Sequence, residues 1–134
     1  MINSDTQTIS IETTPQKVFD FVADPQNLPR WAIGFAKAVR EEQGRWFVKT
    51  DAGEIGLRID ADNNTGVVDF WMIPAPEVEV LAASRVVQRG GASEYIFTQF
   101  QSGGMSNEDF NRSVQALRHE LSVLKAQLEI ECPL

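Results

Sequence analysis

The stretch "TTPQKVFDFVADPQNLPRW", residues 13–31, contains two places at which a helix-capping residue is followed directly by proline. Thr14 precedes Pro15, and Asp24 precedes Pro25. Side chains of this kind satisfy free backbone N–H groups at a helix start, and proline is tolerated at the first helical position because its missing N–H has no helical partner there. Pro29 disfavours a helical backbone in the residue before it. The stretch therefore predicts two short helices with a corner between them, the second limited by Pro29.

The residues on either side of this stretch predict strands. From Thr6 to Glu12, Ile9 and Ile11 alternate with polar residues, which is typical of a half-buried strand. Residues 34–101 contain six segments rich in Val, Ile, Phe, Trp and Thr, separated by short turns that contain Gly, Asn or Pro. Such turns favour hairpins, and no connection is long enough for a crossover helix. We therefore predict an antiparallel meander.

A long helix is predicted at the C-terminal end. It follows a break at residues 103–104, and Ser106 and Asp109 resemble a capping box in which Asp replaces the usual Glu or Gln. Met105 is placed to form a hydrophobic staple with the start of the helix, which should reach about Glu129. One face of the helix carries an apolar stripe made of Phe110, Val114, Leu117, Leu121, Leu124 and Leu128.

These elements predict an α+β fold, in one domain over residues 1–134. Its curved antiparallel sheet of about seven strands wraps around the long C-terminal helix, and the two short helices lie between strands 1 and 2. A twisted sheet and a straight helix fill space imperfectly. The gap between them is a candidate cavity, and the two short helices are expected to close one end of it as a plug or gate.

The segment "TISIETTPQKVFDFVADPQNLPRWAIGFAKAVR" resembles the opening of polyketide cyclase/dehydrase-like members of the START-related helix-grip superfamily, often abbreviated SRPBCC. The shared features are a first strand, a helix that begins with proline, an aspartate–proline pair and a Trp before Gly34. The long helix after a Gly-rich break matches as well. The resemblance implies the helix-grip fold. It does not assign a function, because the superfamily includes ligand binders, cyclases, hydroxylase subunits and chaperone cofactors.

Composition narrows the classes of function. The net charge of −7 gives no basic surface for nucleic acid, and no apolar run approaches the roughly 18 residues of a membrane span. We therefore expect neither nucleic-acid binding nor membrane insertion. The polar N-terminus lacks the apolar region of a signal peptide. Cys132 is the only cysteine, which excludes an internal disulfide and favours a cytoplasmic protein.

Strand alternation and the helix stripe predict which side chains face the cavity. Such residues are core residues first and cavity residues second, but Trp31, Trp46 and Tyr95 also carry a polar group that a ligand could satisfy. The preference for Tyr95 rests on choosing it, with Phe97 and Gln99, as the inward face of its strand. The predicted ligand-binding residues are Phe21, Trp31, Phe35, Trp46, Val48, Leu57, Phe70, Met72, Tyr95, Phe97, Leu117 and Leu121.

Catalytic chemistry has little support in the sequence. One His and one Cys predict no metal site, and no motif for a nucleotide or other cofactor is present. His119 is placed opposite the apolar stripe and should be solvated. The candidates for proton transfer are Tyr95 and, only if a β-bulge reverses the alternation of their strands, the charged residues Asp69, Arg85 and Arg58.

Two functions of different kinds remain. The favoured one is binding of a hydrophobic small molecule, such as a lipid, polyketide or aromatic metabolite. The alternative is a metal-free cyclase or dehydratase that confines its substrate and moves a proton. Phe47, Trp71 and Leu81 fall on the outward face of their strands. If these three residues cluster, they would form a homodimer interface; the simpler interpretation is scattered surface residues.

Overall fold

The computed structural model describes residues 3–134, and within this range it contains seven strands and three α-helices. In chain order the elements are β1 (Ser4–Ile11), α1 (Pro15–Val22), a 3-10 turn (Pro25–Asn27), α2 (Leu28–Trp31), β2 (Ala38–Glu42), β3 (Arg45–Thr50), β4 (Gly53–Asp62), β5 (Val67–Ala75), β6 (Val78–Arg89), β7 (Ala92–Phe100) and α3 (Asn107–Glu131).

The strands form one sheet in the order β1-β7-β6-β5-β4-β3-β2, and every neighbouring pair is antiparallel. The six strands from β2 to β7 are consecutive in both sequence and space, so the predicted meander is confirmed. Strand β1 forms the edge of the sheet opposite to β2 and pairs with β7, so that Ile9 lies beside Tyr95. This pairing places the short helices, which follow β1, at one end of the curved sheet.

The segment after β1 differs in one respect from its prediction. Thr14 and Asp24 accept hydrogen bonds from the backbone N–H groups of Lys17 and Gln26, at 3.4 and 3.0 Å, so both capping predictions are confirmed. The prediction that Pro29 limits the second helix is wrong. The backbone before it is helical, and Pro29 occupies the first turn of α2. Proline is accepted there because the first N–H groups of a helix need no helical partner.

The long helix α3 buries its apolar stripe against the sheet. Ser106 accepts a hydrogen bond from the N–H of Asp109 at 3.0 Å, and the helix ends at Glu131, close to the predicted position. Four leucines at helical spacing are at most 4% exposed, and each contributes about 1.5–3 kcal/mol of hydrophobic stabilisation. They are Leu117, Leu121, Leu124 and Leu128.

The two faces of the sheet have different roles. The inner face carries the core, and the preferred face of β7 is the one that points inward, with Tyr95 fully buried. On the outer face, arginine side chains lie over partly buried aromatic rings. The guanidinium of Arg40 lies 4.4 Å from the ring centre of Phe47, and that of Arg58 lies 5.3 Å from Trp71. Each pair is a cation–π contact, which places charge over the aromatic surface.

Candidate functional site

A cavity of about 300 Å³ lies between the inner face of β4–β7 and helices α2 and α3. It opens where the partly or fully exposed residues Gly34, Phe100, Ser102 and Met105 meet at its rim. The deeper wall is apolar and comes from both helices and four strands. Its main side chains are Leu28, Trp31, Ala32, Phe35, Leu57, Phe70, Met72, Val80, Ala82, Phe97, Ala116 and Leu117.

Aromatic rings form one side of this wall and hold each other in place. The ring of Phe97 lies 6.0 Å from that of Phe70 and 6.4 Å from that of Trp31, measured between ring centres. The Trp31 ring also meets Tyr95 edge to face at 6.3 Å. Edge-to-face contacts favour one arrangement of the rings, so this wall is shaped before any ligand arrives.

Trp31 introduces an unpaired donor into the wall. The side chain is 2% exposed, and its indole Nε1 is fully buried without a hydrogen-bond partner in the described part of the chain. A buried N–H without a partner costs about 1–3 kcal/mol. Because Nε1 is fully covered, a ligand can accept its hydrogen bond only if the ring moves.

Glu120 introduces the opposite kind of group. It lies on the buried side of α3, is 7% exposed and lines the cavity. Its Oε2 atom accepts hydrogen bonds from the backbone N–H groups of Gly34 and Phe35, at 2.9 and 3.1 Å. Burial raises the pKa of Glu120 above its ordinary value, and the two N–H groups and the charge of Lys37 only partly oppose this effect.

The second oxygen of Glu120 remains available. Oε1 accepts no hydrogen bond from residues 3–134, yet among these residues Trp31 Nε1 is the one fully buried side-chain polar atom without a partner. Oε1 is therefore not fully covered by protein atoms. The polar residues Gln99, Ser102 and Ser113 line the same cavity as Glu120. The site thus combines an apolar body with one accessible carboxyl oxygen.

The predicted ligand-binding residues divide into two groups. One group does not line the cavity. In this group, Val48 and Tyr95 are completely buried in the core, and Leu121 is 2% exposed. Phe21 and Trp46 are partly buried; Phe21 packs beneath Arg30, 5.0 Å from its guanidinium. None of these five is among the cavity-lining residues. The other group lines the cavity and consists of Trp31, Phe35, Leu57, Phe70, Met72, Phe97 and Leu117.

The candidates for proton transfer lie away from the cavity. The Tyr95 hydroxyl donates to Ser84 Oγ at 2.9 Å, and Ser84 donates to the carbonyl of Val68 at 2.6 Å, so the hydroxyl is engaged inside the core. Burial raises the pKa of Tyr95 far above its ordinary value. This hydroxyl is therefore a structural donor in the present arrangement.

The charged candidates lie on the outer face. The register shift in β5 falls between Met72 and Ala75, beyond Asp69, so it does not turn Asp69 inward. Arg85 is exposed and donates to the carbonyl of Thr65 at 3.2 Å. Arg58, also exposed, pairs with Glu79 and Asp60. The β-bulge needed to turn these three side chains toward the cavity does not occur at their positions.

The short helices contribute unequally to the site. Leu28, Trp31 and Ala32 come from α2 or directly follow it, whereas no residue of α1 lines the cavity. Helix α1 instead packs on β6 and β7 and buries Val18 and Val22. Leu81, predicted to point outward, is among the residues that bound the cavity.

Glu120 is the functional candidate that sequence reasoning missed. It lies three residues after Leu117 and four before Leu124, so the helical spacing places it beside the apolar stripe. A charged residue beside the apolar stripe of α3 indicates a buried carboxyl group, and the sequence contained this signal. Among residues 3–134, no three His, Cys, Asp or Glu side chains come together to hold a metal ion. No helix in the same range has the length and apolar character needed to cross a membrane.

Comparisons with known proteins identify the fold. No protein-family model matches the chain, and no curated protein does. Among solved structures, XoxI from Bacillus cereus aligns with a TM-score of 0.73 at 17% identity, covering 96% of this chain and 97% of that one. The Aha1 dimer from Colwellia psychrerythraea aligns with a TM-score of 0.73 at 13% identity, covering 96% and 97%.

A third similar structure is the di-domain ARO/CYC BexL from the BE-7585A biosynthetic pathway. It aligns with a TM-score of 0.72 at 19% identity, covering 95% of this chain and 46% of that one. The chain therefore spans about half the length of BexL. These likenesses establish the helix-grip fold, as the sequence resemblance implied. Because one fold carries many functions, they establish no activity.

Proposed function

We propose that residues 1–134 form one domain that binds a compact, mainly apolar small molecule in the cavity between the sheet and α3. The observation that carries this proposal is the cavity itself, about 300 Å³ in volume and bounded chiefly by aromatic and aliphatic side chains. Its volume lies at the lower end of the range for small-molecule sites, and its lining has their usual character.

The size of the cavity limits the ligand. Its volume corresponds to roughly ten water molecules, which suits one or two rings or a short chain better than a large sterol. Water in such an apolar space makes few hydrogen bonds, so its displacement by an apolar ligand is favourable. We expect lipids with long chains to bind only if the rim at Phe100 and Met105 opens.

The proposal can be tested by nuclear magnetic resonance and thermal unfolding with naphthalene, biphenyl, decanoic acid and cholesterol as probes. We expect naphthalene or biphenyl to shift the indole N–H signal of Trp31 and to raise the melting temperature. The signal is assigned by its loss in the Trp31→Phe variant. The indole signals of Trp46 and Trp71, outside the cavity, serve as internal controls. If no probe changes either the Trp31 signal or the melting temperature, the proposal is wrong.

One observation favours a second function, a metal-free cyclase or dehydratase. Glu120 is a buried carboxyl with a raised pKa at the cavity surface, which is the setting of many general acids and bases. A suitable probe is heptane-2,4,6-trione, in which an enol oxygen attacks the far carbonyl and water leaves to give a pyrone. A catalyst would accelerate this step, and Glu120→Gln would reduce the acceleration about 100-fold or more. Equal rates with and without protein exclude this reaction.

Two further expectations belong to the same proposal. A homodimer is supported by the dimeric state of the Colwellia psychrerythraea protein. The pairing of Arg40 with Phe47 and of Arg58 with Trp71 argues against the outer sheet face as its interface. Sedimentation equilibrium would decide between monomer and dimer. A cytoplasmic location rests on the use of a single cysteine, Cys132.

A further inference from the structure

The position of Glu120 is fixed on one side only. Its Oε2 atom holds the backbone of Gly34 and Phe35, which connects α2 to β2 at the cavity rim. The fit is close, since a Cβ atom added to Gly34 would lie 3.3 Å from Oε2. The carboxyl group therefore cannot rotate freely, and Oε1 remains as a separate acceptor on a residue that lines the cavity.

No positively charged side chain of the described residues lies within ion-pair distance of this carboxyl group, although the more distant charge of Lys37 acts on it. None of the ion pairs within 4.0 Å in residues 3–134 involves Glu120, although eleven other acidic residues take part in such pairs. Oε1 accepts no hydrogen bond from the described residues, so a donor on a ligand in this largely buried setting would form a bond that the protein itself does not supply. The rest of the cavity is mainly apolar, with Trp31, Phe70 and Phe97 as its aromatic surface.

We infer that Glu120 is the specificity-determining residue of the cavity, which selects compact aromatic molecules bearing a hydrogen-bond donor, a hydroxyl or amino group, at one end. The donor bonds to Oε1 while the ring packs against the aromatic wall. This inference rests on the proposed function and narrows it to one ligand class. It also predicts that a carboxylate on the same ring is disfavoured, because two like charges would meet in a poorly solvated site.

A series of naphthalenes tests the inference, since its members share one ring system and differ in one group. The probes are naphthalene, 2-naphthol, 2-(aminomethyl)naphthalene and 2-naphthoate, with affinities from calorimetry and from the Trp31 indole signal. We expect 2-naphthol to bind about tenfold or more tightly than naphthalene, which is the range for a hydrogen bond to a charged group. We expect 2-naphthoate to bind more weakly than naphthalene. The affinity of 2-(aminomethyl)naphthalene compared with that of 2-naphthol shows whether the site prefers a cationic or a neutral donor.

The Glu120→Gln variant makes the test specific. Two backbone N–H groups require the amide oxygen at the Oε2 position, so the amide NH₂ of the variant takes the position of Oε1. The acceptor presented to the ligand thereby becomes a donor. We expect the variant to lose its preference for 2-naphthol over naphthalene and to gain about tenfold for the acceptor probe 2-acetylnaphthalene. Glu129→Gln, on the same helix but outside the cavity, is the matched control and should leave all affinities unchanged.

The outcomes separate this inference from the proposed function. If naphthalene and 2-naphthol bind equally, and Glu120→Gln changes neither affinity, the cavity binds ligands but Glu120 does not select them. If no naphthalene binds the wild-type protein, the inference is wrong, and the proposed function is wrong as well if biphenyl, decanoic acid and cholesterol also fail to bind. If the variant reverses the preference between 2-naphthol and 2-acetylnaphthalene, the assignment of Oε1 as the anchor is established.

Discussion

Two side chains of the cavity wall carry polar groups that folding has not fully satisfied. Trp31 retains a buried N–H without a partner, and Glu120 retains a carboxyl oxygen without a donor. The unpaired N–H of Trp31 lowers the free energy of unfolding, because this group would be hydrogen-bonded to water in the unfolded chain. The presence of both groups on one cavity, surrounded by well-packed apolar residues, is what distinguishes this site from the rest of the core.

For Trp31, substitutions of different size separate packing from the unpaired N–H. Trp31→Ala should lower the free energy of unfolding by about 3–5 kcal/mol, the usual cost of removing a buried aromatic ring. Trp31→Phe should cost only about 1 kcal/mol, because removal of the unpaired N–H offsets part of the lost packing. Urea unfolding measures both values. A loss for Trp31→Phe close to that for Trp31→Ala would mean that Nε1 has a partner.

For Glu120, the raised pKa predicts how stability depends on pH. The folded protein binds the proton more tightly than the unfolded chain, whose pKa is near 4.5. The contribution of Glu120 is therefore most favourable below this value and is lost as pH rises through the folded pKa. Relative to Glu120→Gln, the wild type should become progressively less stable from pH 4 upward, as measured by urea unfolding. A difference that stays constant or grows in favour of the wild type contradicts this assignment.

Glu129 provides a control of opposite sign. Lys125, and then the N–H of Glu12, lower its pKa, so its contribution to stability is present above the unfolded pKa and is lost as pH falls. Relative to Glu129→Gln, the wild type should lose stability toward acid. Opposite slopes for the two variants would exclude a general effect of net charge.

Among the secondary-structure elements, the turn between β4 and β5 contributes directly to the packing of the sheet. Gly66 ends this turn with a φ of +79°, and its carbonyl accepts a hydrogen bond from Val86 of β6 at 2.9 Å. A Cβ atom at this position would lie 2.2 Å from the carbonyl oxygen of Val86. The turn therefore requires glycine for two reasons, its backbone conformation and the closeness of β6.

A pair of glycine substitutions separates these two reasons. Gly44 has nearly the same φ, +78°, but no atom within 4 Å of an added Cβ. Gly44→Ala should cost about 1–2 kcal/mol, the penalty of a left-handed conformation alone. Gly66→Ala should cost at least about 2 kcal/mol more, because β6 must also move. Thermal unfolding of both variants provides the measurement; equal losses would show that the contact with Val86 is unimportant.

The elements that depend on residue patterns were predictable, and those that depend on three-dimensional context were not. Alternation and turn residues predicted the sheet, and the capping residues Thr14 and Asp24 predicted where the first two helical segments begin. The position of Pro29 inside α2 was not predicted, since a local preference against helix was outweighed by the packing of Leu28 and Trp31. Glu120 was missed because a helical stripe was defined from apolar residues alone.

Across the whole molecule, the curvature of the sheet determines the space for a ligand. The sheet wraps around α3, whose residues Leu124 and Leu128 are fully buried in the core. Beside α2 and the small residues Ala82 and Ala116, the cavity remains unfilled. Strand alternation predicted four of its lining residues, Leu57, Phe70, Met72 and Phe97, and the helix stripe predicted Leu117. These patterns did not predict that Val48, Tyr95 and Leu121 pack fully into the core, because they give the face of a residue but not its depth.

The measurement that tests the unfilled cavity most directly is the free energy of unfolding of Ala82→Phe, compared with Ala36→Phe. Ala82 lines the cavity, whereas Ala36 is 2% exposed in the core and does not. A phenyl ring at position 82 should enter the cavity, leave stability within about 1 kcal/mol of the wild type and abolish naphthalene binding, whereas overpacking at position 36 should cost about 1–3 kcal/mol. If Ala82→Phe is destabilised as much as Ala36→Phe, no hollow of this size exists between the sheet and α3.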